Sequence, residues 1–184
     1  MQPGLSAQLR RGRPSINADW SISVFDADGS QISLIPSRAL ARGGIGYVFE
    51  RFACLDYERR GYVVEQRSSL GYLDRGIDLV ADAPGERIFV QCKFTLQSLG
   101  PKKIEQLLYA ASSFIQQNLI DGANYFDLVV PALEIAFPRN RRNGGRNAAY
   151  EAFSARNRLQ RSVVLRVVEV PIELPDVLVS GDGV

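Results

Sequence analysis

Between Gly71 and Phe94 the chain reads as two strands joined through Asp82-Ala83-Pro84-Gly85, where Pro and Gly supply the turn. The second strand leaves little freedom in how its side chains are sorted. Ile88, Val90 and Cys92 fall on one face, and Phe89, Gln91 and Lys93 on the other. An antiparallel partner strand would bring Asp78 beside Gln91 and Lys93. An acid, an amide and a lysine on one small patch of sheet are costly to bury unless they are paired or used.

The rest of the chain supplies layers around that hairpin. Residues 1 to about 19 carry Gly, Pro and Ser with Arg10, Arg11 and Arg13, and read as a flexible basic arm able to touch phosphate. Trp20 to Ile35 reads as a β-hairpin turning at Asp26-Ala27-Asp28-Gly29. That fragment lacks the closing glutamate of a calcium loop, so it is a turn. Pro36-Ser37 opens a helix with Ser37 as its cap, interrupted near Gly43-Gly44 and running to about Arg60. Ile45, Val48, Phe49 and Phe52 form its apolar stripe, and Glu50 lies at the stripe's edge. Gly61 ends this helix, and Tyr62 to Gln66 follows as a strand.

Gly100-Pro101 opens a second helix to about Asn118, with Ile104, Leu107, Leu108, Ala111 and Ile115 on its apolar side and Gln106 and Tyr109 off it. Tyr125 to Val130 is an apolar strand, parallel to the hairpin because a helix of crossover length precedes it. After a Gly/Asn/Arg loop comes a polar helix carrying Arg156, Arg158 and Arg161, then a last strand from Val163 to Val170. The class is α/β, with 184 residues enough for one well-packed domain.

Absences narrow the chemistry. There is no histidine, which excludes Ser-His-Asp and Cys-His hydrolysis and zinc sites with His ligands. Cys54 and Cys92 read as buried reduced thiols, one on a helix and one on a core strand. No apolar run is long enough to span a bilayer, and the first residues lack the order of a signal peptide, so a cytoplasmic protein without a membrane partner is expected. Only three lysines occur against nineteen arginines, and one of the three is Lys93. The net charge of +2 conceals a polarised molecule, because Arg139, Arg141, Arg142, Arg146, Arg156, Arg158 and Arg161 face only Glu151 within their segment. That segment suits a phosphate backbone; its other reading is a solvated face.

Taken as chemistry, Asp78 is a hard carboxylate ligand for Mg²⁺ or Mn²⁺ and Glu50 a candidate second one. Gln91 offers a neutral amide oxygen that ligates or orients water. Lys93 supplies a point charge able to position water and neutralise a phosphate under attack. Together these groups suit metal-assisted hydrolysis of a phosphodiester. The structural alternative is an Asp78–Lys93 ion pair bridging two strands.

Four fragments in order carry a family resemblance: Gly46-Tyr47-Val48-Phe49-Glu50, Gly61-Tyr62-Val63-Val64, Arg75-Gly76-Ile77-Asp78-Leu79-Val80-Ala81 and Val90-Gln91-Cys92-Lys93. Over roughly residues 43 to 131 the chain resembles the PD-(D/E)XK nuclease superfamily, most closely its Mrr-like restriction endonuclease branch. The resemblance implies a restriction-endonuclease-like mixed central β-sheet flanked by α-helices, here with an N-terminal β-hairpin extension. The expected division is 1–38 for arm and hairpin, 39–172 for the nuclease-like domain and 173–184 for a tail. The resemblance further implies an Mg²⁺-dependent DNA endonuclease, with Mn²⁺ substituting, in a restriction, defence or DNA-processing role.

Carried over, Asp78 is the metal-binding acid, Lys93 the motif lysine and Glu50 the helix glutamate. Gln91 stands where most of the superfamily has an acid, and the Cys92 backbone carbonyl is a further metal ligand. Arg75, before the acid, either binds phosphate or pairs with Asp74. DNA is the expected partner, and a homodimer or a larger defence or DNA-processing assembly is compatible with the chain. Two competing functions remain: a catalytically silent DNA-binding module of the same fold, and a structure-selective, Holliday-junction-resolvase-like dimer.

Overall fold

Pro84 and Gly85 set the geometry at the centre of the protein. Proline fixes its own φ, and Gly85 takes φ +73°, which an L side chain resists. The turn folds β5 (Leu79–Ala83) back along β6 (Glu86–Cys92) as an antiparallel pair, with Leu79 opposite Val90 and Ala83 opposite Glu86. The computed structural model describes residues 4–40, 44–67, 76–139, 145, 147–156, 158–159 and 162–172.

The sheet grows outward from this hairpin. β4 (Val63–Gln66) pairs antiparallel with β5. On the other side β7 (Ala123–Val130) runs parallel to β6, the crossover being α3 (Pro101–Gln117). Gly100 caps α3 without a side-chain bond and Pro101 occupies its first turn, where the missing N–H costs nothing. At the other end Asn118 Nδ2 donates to the Phe114 carbonyl at 2.8 Å. A short helix, α4 (Leu133–Ala136), precedes α5 (Ala148–Arg156). β9 (Val163–Glu169) then lies parallel to β7, and the two-residue β8 (Arg158–Leu159) closes the edge antiparallel to β9. The order β4-β5-β6-β7-β9-β8 is the expected mixed central sheet, flanked by helices. Arg158 lies in this edge strand rather than in the polar helix expected there, because α5 ends at Arg156.

Alternation along the strands divides two cores. Val80, Phe89, Phe126 and Leu128 pack beneath α3 and α5, against Ile104, Leu108, Phe114 and Phe153. Leu79, Ile88, Val90 and Cys92 pack on the opposite face against α2 (Gly44–Arg59), through Phe49, Ala53 and Tyr57. The single apolar stripe expected on that helix is in fact two. Val48 joins the core of a second sheet, with Ile45 and Phe52 packed against it, while Phe49 turns to the six-stranded sheet.

That second sheet, β1-β2-β3, consists of β1 (Arg13–Ile16), β2 (Ile22–Phe25) and β3 (Gln31–Ile35), all antiparallel, preceded by α1 (Leu5–Leu9). The expected hairpin is present, and its turn is held by Ser30 N–H donating to Asp26 and Asp28 Oδ1. The expected flexible arm is not found over residues 5–16. Leu9 is fully buried with Ile22, Val24 and Ile35, and such burial contributes roughly 1.5–3 kcal/mol per side chain. That tertiary packing sustains a five-residue helix too short to persist alone. Ser37 does not cap α2 either. It begins a separate 3-10 turn (Ser37–Ala39) that follows Pro36. Among the described residues no helix is long and apolar enough to cross a membrane.

Candidate active site

Asp78 stands one residue before β5 and extends its ladder. Its N–H donates to the Val90 carbonyl at 2.8 Å, and its carbonyl accepts from Arg67 N–H at 2.7 Å. Because Leu79 faces Val90, Asp78 comes to lie beside Gln91. Its Oδ2 accepts from Gln91 Nε2 at 2.5 Å and from the Cys92 N–H at 2.7 Å. Gln91 Nε2 also donates to the Cys92 carbonyl at 3.3 Å. Asp78 and Gln91 are both buried, at 6% and 8% exposure.

Lys93 follows the last residue of β6, and its N–H donates to the Val129 carbonyl at 2.8 Å, which seats it against β7. Glu50 arrives from the second turn of α2. These groups converge where β6 ends: Gly46, Glu50, Asp78, Gln91, Cys92 and Lys93 line one open cleft of about 360 Å³. Asp78 Oδ2 is thus taken up by the Gln91 amide and the Cys92 N–H. Burial pushes the Cys92 thiol well above its ordinary range, and the charges of Asp78 and then Glu50 add to that rise. Both carboxylates are therefore close enough for their fields to bear on Cys92.

Gly76 is a member of the site that carried no role in the sequence. Its φ is +73°, and a Cβ there would stand 3.0 Å from Ala110 Cβ on α3 and 3.4 Å from Gln91 Oε1. The segment leading to Asp78 thus rests on α3 and against the Gln91 amide. A glycine two residues before the acid was the signal available.

The arginines are placed less fully. Arg139 is exposed and pairs with Glu134 at 3.6 Å. Arg75, Arg141, Arg142, Arg146 and Arg161 lie outside the described residues, as do the side chains of Arg156 and Arg158. Gln106 is exposed on α3 and is not among the cleft residues.

The oxygens available at the cleft belong to two carboxylates, the Gln91 amide and the Cys92 backbone carbonyl. Such a set fits a hard divalent cation of the Mg²⁺ or Mn²⁺ kind, and the open cleft leaves room for its water. Among the described residues no three His, Cys, Asp or Glu side chains form a metal cluster. Neutral oxygens would have to complete the shell.

A mixed sheet between helices, with an acid at the start of one strand and Gln-x-Lys at the end of the next, is the arrangement of a restriction-endonuclease-like fold. Residues 45–121, from α2 to just past α3, match the family model for the restriction endonuclease catalytic domain of Mrr type. The resemblance to the Mrr-like branch of the PD-(D/E)XK nucleases holds over that segment. No curated protein and no solved structure matches the chain.

Proposed function

We propose that this protein is an Mg²⁺-dependent DNA endonuclease. One observation carries the reading: Asp78, Gln91, Lys93 and Glu50 line a single cleft within the segment that matches restriction endonucleases. Asp78 and Glu50 would hold the cation, Gln91 Oε1 and the Cys92 carbonyl would add neutral oxygens, and Mn²⁺ would substitute. When bound, the cation supplies charge neutralisation at the phosphodiester and acidifies nearby water. Lys93 holds a compact positive charge in the cleft, where it offsets negative charge gathering on a phosphate and orients the attacking water. The arginines from 139 to 161 engage backbone phosphates without selecting sequence.

The test is cleavage of supercoiled, linear, single-stranded and branched DNA with and without Mg²⁺. Cation-dependent cleavage of wild type, falling about 100- to 1,000-fold in Lys93→Ala, is the expected result. Undiminished cleavage by that variant would remove Lys93 from the mechanism. A second reading, a DNA-binding module that does not cleave, is favoured by Gln91 standing where an acid would supply a further negative ligand. Binding without cleavage on every DNA form in Mg²⁺ or Mn²⁺ would establish it. Preference for the branched substrate would instead mark a structure-selective enzyme.

A further inference from the structure

The side-chain amide of Gln91 presents its donor, not its acceptor, to the oxygens of the site. Nε2 bonds Asp78 Oδ2 at 2.5 Å and the Cys92 carbonyl at 3.3 Å, while Oε1 is directed toward Gly76. Hydrogen-bonding chemistry dictates that orientation. A carboxylate and a carbonyl only accept, so the opposite orientation would set an amide oxygen against two other oxygens. The atoms that Nε2 covers are two of those the proposed function gives to a cation. An N–H donor and a cation compete for the same lone pairs.

We propose that Gln91 is a cation-responsive cap: its amide nitrogen covers Asp78 and the Cys92 carbonyl when no cation is bound, and turns over to offer Oε1 when one binds. This rests on the cation-binding reading of the cleft. The terminal torsion of glutamine is broad and close to two-fold, so the exchange of N for O needs no backbone movement. Gly76 borders the far side of the amide, where even a Cβ would stand 3.4 Å from Oε1. The cap also accounts for an amide at a position where a carboxylate would attract the cation more strongly. A glutamate at 91 would set two carboxylates at hydrogen-bonding distance in a buried site, which is unfavourable until a cation separates them. Glutamine gives the cation-free Asp78 a hydrogen-bond donor in place of a second negative charge, at the expense of cation affinity.

The experiment follows the Gln91 amide protons of the full-length protein by ¹⁵N NMR, in chelator and through an Mg²⁺ titration. The resonance pair is assigned by its loss in Gln91→Glu, or in Gln91→Met if the glutamate variant does not fold. Calorimetry on the same samples reports Mg²⁺ binding independently. The expected result is a protected pair in chelator whose shifts follow the calorimetric isotherm and whose exchange with water rises about tenfold, the loss of roughly one hydrogen bond. Mg²⁺ binding with the Gln91 resonances unmoved overturns the cap and leaves the proposed function standing. Absence of Mg²⁺ binding overturns that reading of the cleft, and the cap with it.

Discussion

Asp127 is fully buried in the middle of β7, opposite Val90 on one side and Arg166 on the other. Arg166 donates Nε to Oδ1 at 2.7 Å and Nη2 to Oδ2 at 2.9 Å, and stacks 3.9 Å over the Tyr125 ring. Tyr57 of α2 donates its hydroxyl to Oδ2 at 2.5 Å. Burial, and then the Asp127 charge, raise the tyrosine's pKa far above its usual value, so it stays a donor. Arg166→Met keeps the stem over Tyr125 but leaves a buried carboxylate with one hydroxyl donor. Breaking a buried pair costs about 3–5 kcal/mol. The Arg166 side chain is 35% exposed, so water reaches the vacated position and a loss below that range is expected, about 2–3 kcal/mol.

Urea unfolding with parallel slopes measures that loss. Asp127→Asn combined with Arg166→Met should be less destabilised than Arg166→Met alone, because no charge is then stranded. A single variant within about 0.5 kcal/mol of wild type would mean that Arg166 does not stabilise the Asp127 charge. So would a double variant that loses the full sum of both changes. The network matters to the site because Tyr57 lies seven residues beyond Glu50, on the same side of α2. Its bond to the sheet fixes the rotation at which Glu50 enters the cleft.

Gly76→Ala should lose about 1–2 kcal/mol for the positive φ alone, before any adjustment of Ala110 and Gln91, as read by thermal unfolding; an unchanged Tm would contradict it. Leu9→Ala should cost about 2–5 kcal/mol by urea unfolding, whereas a neutral result would return residues 5–16 to a loose arm. Stability should decline between about pH 9 and 11. The Cys54 thiol, buried and beside Glu58, is pushed up from 9.0 to about 11. Below the unfolded value both states hold the proton and this contribution is intact; above it only the unfolded chain releases the proton, and stability is lost toward the folded value. Cys92 acts in the same direction. Replacing both cysteines by alanine should flatten this part of the pH profile, and an unaltered profile would assign the decline to other groups.

Much of the site was legible in the sequence because its elements are local. Pro84-Gly85 closes a hairpin of short strands, and the two-residue period of β6 sorts Gln91 from Cys92 with no knowledge of the rest of the fold. Asp78 beside Gln91 follows from that hairpin's register. The crossover length of α3 likewise announces a parallel β7. The role of Asp127 was not legible, since nothing in an apolar strand names Tyr57 and Arg166, seventy and thirty-nine residues away, as its partners.

Periodicity and turn chemistry, acting over a few residues, were enough for the α/β class, the central hairpin and the grouping of Asp78 with Gln91 and Lys93. Long-range packing is what makes α2 apolar on two sides, seats residues 5–16 against one of them, and brings Glu50 to the hairpin. It also decided which way the Gln91 amide points, because that depends on the acceptors placed around it. Backbone conformation follows from short-range sterics. Which surfaces meet follows from burial summed over distant segments, and no single stretch of sequence holds that sum.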